Sequence, residues 1–255
     1  MREHPAGDVD YELAGHGYAG VRRPEPVFAR RIRHHLGDIA TMVNVGAGTG
    51  SYEPHDVAVT PVEPSAAMRA QRPTYLAPAI DAVAEDLPFD DGAFDAALAA
   101  FTVHQWRDLH GGLRELRRVT RGPVVVMTCD PGRLSEFWLA EYAPEMMDHE
   151  CGRMPALATV ADTLGGRVAI EELPIPTGCV DGFAEAFFGR PEALLDPTVR
   201  QSQSAWRFVD PEVESRSVGR LHRALADGSW DEKYGSLRSV PQYRGSLRLV
   251  VSEPG

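Results

Sequence analysis

A chain of 255 residues, 43% hydrophobic and 25% charged, is long and apolar enough to bury a full core, and this composition excludes intrinsic disorder and collagen-like repeats. The formal net charge of −11 argues against a protein that holds nucleic acid through a general basic field. A nucleic-acid interpretation would have to start from the arginines between Arg22 and Arg33.

The cysteines and the apolar runs indicate the compartment. Cys129, Cys151 and Cys179 are odd in number and far apart, so they outline neither a disulfide framework nor a metal-binding pair. The N-terminal sequence lacks the apolar core of a signal peptide, and no stretch approaches the ~18 apolar residues that span a bilayer. We therefore expect a cytoplasmic protein without a membrane partner.

Helix and strand patterns alternate in the first half of the chain. Amphipathic spacing predicts three helices: 24–36, 65–72 and 109–116. Short apolar runs predict four buried strands: 42–45, 57–62, 94–101 and 124–128. Such alternation predicts a parallel sheet that is covered by helices on both faces.

The pattern changes in the second half. Helices are predicted over 134–147 and 156–164, followed by a strand over 168–175. Residues 179–244 look mostly helical and are punctuated by prolines, which predicts several short helices, and a final strand covers 246–252. We therefore divide the chain into an α/β core, residues 1–178 plus 245–255, and a helical cap insert for the substrate, residues 179–244.

The most informative motif is VNVGAGTG at residues 43–50, in which a predicted strand runs into a G-x-G-x-G turn. Glycine suits a backbone that turns sharply and approaches a ligand closely. Glu63 ends the second strand, where a carboxylate can accept hydrogen bonds from the hydroxyls of a ribose. A dinucleotide fingerprint would require glycine at position 51, but Ser51 stands there, which argues against a nicotinamide-dependent oxidoreductase.

This turn resembles the first motif of class I S-adenosylmethionine-dependent methyltransferases, and later segments follow the same family in order: VEPSAAM (62–68), AEDLPFDDGAFD (84–95), FTVHQW (101–106) and LRELRRVTRGPVVVMT (113–128). The resemblance implies a Rossmann-like, mostly parallel sheet of seven strands with the last strand antiparallel. It also implies that S-adenosylmethionine is the cofactor.

The resemblance further implies thirteen cofactor-binding residues: Tyr18, Arg22, Gly46, Ala47, Gly48, Gly50, Glu63, Pro64, Met68, Ala84, Glu85, Ala100 and Phe101. The glycine turn is expected to line the methionine part, Glu63 to hold the ribose, and Phe101 to face the sulfonium. Two positions depart from the family pattern. Asn44 and Val83 stand where relatives often have an acidic residue, which puts the strength of cofactor binding in doubt.

His104 is the candidate catalytic residue, because it follows the fourth strand and a histidine near its ordinary pKa of ~6.5 can take a proton at neutral pH. A role in packing beside Trp106 is an equal alternative. The segment 145–151 is rich in residue types that bind metals, but most of them are consecutive. Consecutive residues point in different directions around a helix and do not share one face. We therefore predict no metal.

The segment after the fourth strand lacks the N/D-P-P-Y type motif of enzymes that methylate amino groups of nucleic acids. Together with the acidic net charge, this favours methyl transfer to an oxygen, nitrogen or carbon of a small-molecule metabolite. Two alternatives remain open: a catalytically inactive module that binds S-adenosylmethionine or S-adenosylhomocysteine, and a nucleic-acid methyltransferase.

Overall fold

The computed structural model describes residues 22–255. Its helices are α1 (Pro26–Leu36), α2 (Ala66–Ala70), α3 (Leu109–Arg118), α4 (Pro131–Leu134), α5 (Leu139–Tyr142), α6 (Pro144–Arg153), α7 (Leu157–Leu164), α8 (Pro197–Gln201), α9 (Pro211–Ala226) and α10 (Ser229–Tyr234). Its strands are β1 (Thr41–Val45), β2 (Ala58–Val62), β3 (Ala96–Ala100), β4 (Val124–Cys129), β5 (Arg167–Glu172), β6 (Ile175–Pro176), β7 (Gln242–Tyr243) and β8 (Leu247–Glu253). Short 3-10 turns join several of them.

The central sheet has the strand order β2-β1-β3-β4-β8-β5. Strands β2, β1, β3 and β4 pair in parallel, and β8 runs antiparallel to both β4 and β5. The predicted fold class and the antiparallel last strand are therefore confirmed. The chain passes from β1 outward to β2 and then returns to the other side of β1, so the β1/β3 boundary is the point at which a ligand crevice forms in such sheets.

The expected number of seven strands was wrong, since the sheet formed by residues 22–255 has six. Beside β2, the described part of the chain supplies one bridging residue, Ile80, whose N–H donates to Pro61 O at 2.9 Å and whose carbonyl accepts from Glu63 N at 3.0 Å. Pro73 and Pro78 precede it in the chain, and a proline supplies no N–H to a strand ladder. The expected seventh strand, outside β2, is therefore reduced to the single bridge between Ile80 and Val62.

Helices cover both faces of the sheet. On one face, Phe28 and Ile32 of α1 pack into a large cluster with the residues that follow β4. On the other face, Leu113 and Leu116 of α3 pack with Val160 of α7. The central strands are apolar in both directions because both of their faces are buried, which explains their uninterrupted runs of valine and alanine.

The prediction of one continuous helix over 134–147 was wrong, because this stretch forms parts of three short helices, α4, α5 and α6. Pro144 stands at the first position of α6, where its missing N–H costs nothing, whereas inside a helix it would remove a hydrogen bond. Beyond β6 the chain forms short helices and 3-10 turns, and the ribbon of β6 with β7 joins the two ends of segment 177–241.

Within residues 22–255, every helix is too short or too polar to cross a lipid bilayer.

Candidate active site

The glycine turn leaves the carboxyl end of β1 and is held against the end of β2. The amides of Gly46 and Ala47 both donate to Val62 O at 2.9 Å. Gly46 has φ +70°, and a Cβ there would lie 1.9 Å from Oγ1 of Thr102. Glycine is therefore required at position 46 for both its backbone angle and its close approach to the residue after β3.

Glu63 connects this turn with the end of β2. Its buried carboxylate accepts from Gly48 N at 2.8 Å through Oε2 and from Ser65 N at 2.9 Å through Oε1. Burial raises the pKa of Glu63, and the two backbone hydrogen bonds oppose that effect. The side chain of Ser65 in turn caps α2. The turn and the acid that follows the second strand thus lie in contact.

A cleft opens at the carboxyl ends of β1, β2 and β3. Eleven of the thirteen residues named from the sequence line it: Arg22, Gly46, Ala47, Gly48, Glu63, Pro64, Met68, Ala84, Glu85, Ala100 and Phe101. Gly50 does not line this cleft and instead borders a groove on the outer side of the turn. Tyr18 lies outside the described residues.

Sequence reasoning had not assigned the other residues that line the cleft to the cofactor: Asn44, Val45, Thr49, Ser51, Tyr52, Ala82, Val83, Thr102, Gln105, Trp106, Arg107 and Asp181. Most of them are chain neighbours of the named motifs, so proximity to those motifs is a signal that could have found them. Asp181 is different, because it is far from every motif in the sequence.

Asn44 belongs to a buried polar network below the turn. Its Nδ2 donates to Glu53 Oε1 at 3.0 Å, and Arg72 pairs with the same carboxylate at 2.9 Å. The side chains of Glu53 and Arg72 are 2% and 3% exposed. The amide at position 44 therefore has a structural partner, and it anchors β1 to the segment that follows the turn.

A second network ties the start of the described chain to Asp181. Arg22 Nε donates to Asp181 Oδ1 at 2.5 Å, and the hydroxyl of Tyr52 donates to Oδ2 at 2.6 Å. Burial and the neighbouring carboxylate raise the pKa of Tyr52. The guanidinium of Arg22 also lies 5.1 Å from the centre of the Phe101 ring. These contacts close one side of the cleft.

A second cavity adjoins the cleft. The two spaces share Arg22, Phe101 and Gln105, which therefore form the boundary between them. Phe101 has φ +53°, an unusual and strained angle for a bulky residue. The remaining residues of the second cavity are His104, Cys129, Leu134, Met146, Glu150, Met154, Phe183, Ala184, Glu185, Gln203, Ser204 and Ala205.

His104 lines the second cavity and not the cleft. Its Nδ1 is buried and has no hydrogen-bond partner among residues 22–255, and its Nε2 lies 3.3 Å from Nε2 of Gln105. Burial, assisted by the positive charges of Arg153 and Arg22, lowers the pKa of His104 to about 3. Desolvation disfavours the charged imidazolium, so this pKa lies below the near-neutral value expected from the sequence, and the catalytic role of His104 stays a prediction.

Glu185 is the other buried ionisable group of the second cavity. Its carboxylate accepts from Ser246 N at 3.0 Å and from Ser246 Oγ at 2.6 Å. Burial raises the pKa of Glu185 to about 7, although these hydrogen bonds oppose the shift. The carboxyl group therefore holds the backbone just before β8.

Comparisons with known proteins agree with this geometry. Residues 43–126 match the family model described as a methyltransferase domain. Over 133 residues the chain is 29% identical to the uncharacterized protein YafE of Escherichia coli, a match that covers 48% of this chain and 61% of that protein. Over 66 residues it is 38% identical to demethylmenaquinone methyltransferase of Mycolicibacterium gilvum, a match that covers 26% and 29% of the two chains. The aligned part thus spans less than two thirds of either relative.

A solved structure described as a methyltransferase from an antibiotic biosynthesis pathway of Anabaena variabilis is similar over most of the chain. It superposes with a TM-score of 0.85 at 25% sequence identity and covers 91% of this chain and 98% of that one. The matched segment begins in β1, contains the glycine turn and Glu63, and ends in β4. Residues 43–126 therefore form a methyltransferase domain, and the fold of the chain is that of class I S-adenosylmethionine-dependent methyltransferases.

Proposed function

We propose that this protein transfers the methyl group of S-adenosylmethionine to a small-molecule acceptor. The observation that carries the proposal is the contact between Glu63 and Gly48 at the rim of the cleft. Each carboxylate oxygen of Glu63 accepts one backbone hydrogen bond, which leaves lone pairs for the two hydroxyls of a ribose. A single group thus orients both the turn and the nucleoside.

The cleft residues have chemistry that fits the parts of S-adenosylmethionine. The glycine turn would hold the methionine part, Met68 and Ala84 would flank the adenosine, and Phe101 would face the sulfonium. The cofactor supplies an electrophilic methyl group on a positively charged sulfur. Arg22 is already paired with Asp181, so the carboxylate of the cofactor would share this guanidinium rather than find it unpaired.

We propose that the acceptor occupies the second cavity, beyond the boundary formed by Arg22, Phe101 and Gln105. Transfer requires the acceptor atom to lie roughly 3–3.5 Å from the methyl carbon, in line with the bond to sulfur. An acceptor held beyond Arg22, Phe101 and Gln105 would take the methyl group that the cofactor supplies, and the electron pair of the broken carbon–sulfur bond would stay on sulfur. The proton of an oxygen or nitrogen acceptor leaves to water.

His104 contacts the acceptor in this proposal. With a pKa of about 3 it is neutral at physiological pH, so its contribution is a hydrogen bond that orients the acceptor rather than strong base catalysis. Six residues of the cavity come from segment 179–244: Phe183, Ala184, Glu185, Gln203, Ser204 and Ala205. We propose that this segment sets acceptor specificity.

Calorimetric titration with S-adenosylhomocysteine tests the cofactor site. We expect Glu63→Gln to weaken binding about tenfold or more, because hydrogen bonds to a charged group contribute about 1.5–3 kcal/mol. The matched control is Glu171→Gln on β5, which lies outside the cleft and pairs with Arg31 and His35. Binding of NADH with no response to S-adenosylhomocysteine would overturn the proposal.

Catalysis is tested separately by incubating the protein with isotopically labelled S-adenosylmethionine and a broad panel of small acceptors. A labelled product supports methyl transfer. Tight binding of S-adenosylhomocysteine with no product across the panel would favour the inactive binding module. Affinity for RNA or DNA that falls steeply with salt would favour a nucleic-acid substrate instead.

A further inference from the structure

Three acidic or basic side chains line the second cavity, Arg22, Glu150 and Glu185, and the first two are paired with a group of opposite charge. Arg22 pairs with Asp181 at 2.5 Å, and Glu150 pairs with Arg153 at 2.9 Å. Glu185 accepts hydrogen bonds from Ser246 and is withdrawn from solvent. Among residues 22–255, the cavity therefore presents no cation whose charge is left uncompensated for an anionic ligand.

The imidazole of His104 adds a polar group without adding a charge. The amide nitrogen of Gln105 lies 3.3 Å from Nε2 and donates to it, so the ring hydrogen sits on Nδ1. No group among the described residues accepts that hydrogen. A buried donor without a partner costs about 1–3 kcal/mol, and a ligand oxygen beside His104 would recover this free energy.

The side chains of Gln203 and Ser204 are also polar, but both have partners: Gln203 bonds to Gly182 and Trp206, and Ser204 accepts from Arg153. The rest of the cavity wall is largely apolar. It is formed mainly by the rings of Phe101 and Phe183, the thioethers of Met146 and Met154, and the side chain of Leu134. The rings of Phe101 and Phe183 lie 5.3 Å apart, so they form one continuous aromatic surface next to the cleft. Such a wall favours an apolar body, because a charged ligand would lose its hydration here without gaining a counter-ion.

We propose that the second cavity binds the methyl acceptor as an uncharged, largely apolar molecule whose oxygen accepts a hydrogen bond from His104. This inference rests on the proposed methyl transfer for the role of the ligand, but the charge and polarity of the ligand follow from the cavity alone. A carboxylate or phosphate on the part of the acceptor that enters the cavity is excluded by the same argument.

Three probes of the same shape and different charge test the proposal: 2-naphthol, 2-naphthoate and 2-naphthylmethylammonium. Their dissociation constants are measured by calorimetry at pH 7, with and without saturating S-adenosylhomocysteine. We expect 2-naphthol to bind at least about tenfold more tightly than 2-naphthoate, because the anion would be buried without a partner. We expect the ammonium probe to bind more weakly than 2-naphthol as well.

Variants at position 104 test the hydrogen bond. We expect His104→Ala to weaken 2-naphthol binding about threefold to tenfold, in keeping with the loss of one hydrogen bond. His104→Asn is expected to retain most of the affinity, because its side-chain amide places an N–H close to the position of Nδ1. The control is His110→Ala, since His110 lies on α3, bonds to Thr163 and lines neither space.

A variant at position 150 tests the effect of charge on ligand preference. Glu150→Gln removes the negative charge beside Arg153, so we expect the preference for 2-naphthol over 2-naphthoate to shrink severalfold. An unchanged preference in this variant would contradict the role assigned to charge compensation.

The possible results separate this inference from the cofactor proposal. Tighter binding of 2-naphthoate or of the ammonium probe in the unmodified protein overturns the inference, and so does binding of S-adenosylhomocysteine with no binding of any probe. Binding of 2-naphthol by a protein that ignores S-adenosylhomocysteine supports the description of the cavity and overturns the methyltransferase activity.

Discussion

Substitution of Gly46 by alanine is expected to destabilise the protein through two separate effects. The left-handed φ of +70° costs an alanine about 1–2 kcal/mol. The added Cβ would also lie 1.9 Å from Oγ1 and 2.6 Å from Cβ of Thr102, and overpacking of this kind costs about 1–3 kcal/mol. The two effects together predict a loss of about 2–5 kcal/mol in the free energy of unfolding.

Gly228→Ala is the matched control, because Gly228 also has a left-handed φ, +82°. A methyl group there would lie more than 4 Å from every neighbouring atom of the described residues, so the substitution carries the backbone cost without the steric one. Urea unfolding followed by circular dichroism measures both variants. We expect Gly46→Ala to be at least about 1 kcal/mol less stable than Gly228→Ala. Thr102→Ala in the Gly46→Ala background should recover part of this difference, since it removes Oγ1. Equal stability of the two single variants would refute the steric argument.

Three further outcomes are expected. Arg72→Leu should lower the free energy of unfolding by about 3–5 kcal/mol, because it leaves the buried Glu53 carboxylate without its cation, although Asn44 still donates to it. Arg133→Leu on the surface should cost less than about 1 kcal/mol, and urea unfolding measures both variants. The pKa of Glu185, raised from 4.5 to about 7, favours its protonated form in the folded state, so the contribution of this group to stability is present at low pH and is lost as the pH rises. Relative to Glu185→Gln, the unmodified protein should lose about 3 kcal/mol between pH 4 and pH 7.5. The ring of His104 should not titrate between pH 5 and pH 8 in NMR spectra, and a midpoint between pH 6 and pH 7 would contradict the assigned effect of burial.

The parts of the molecule that depend on local pattern could be predicted from the sequence. The alternation of apolar runs and amphipathic segments indicated the parallel sheet, and the glycine turn and Glu63 lie at the ends of adjacent strands. Their closeness follows from the parallel pairing itself, because the carboxyl ends of neighbouring strands meet at one edge.

Features that depend on distant contacts could not be predicted in this way. Asp181 reaches the cleft through Tyr52 and Arg22, which precede it by 129 and 159 residues. The pKa of His104 depends on burial by several elements, which the sequence does not indicate. By contrast, Pro144 was a visible signal, since a proline inside the predicted helix over 134–147 marks a break.

The position of β8 has a consequence for the order of folding. This strand is the last in the chain, yet it pairs with β4 on one side and β5 on the other. During synthesis, the backbone N–H and C=O groups of β4 and β5 that face β8 stay unpaired until residue 253 has left the ribosome. Unpaired strand edges of this kind can pair with other chains. Productive folding of the nascent protein thus depends on protecting these edges, and a chain that stops before β8 would be prone to aggregate.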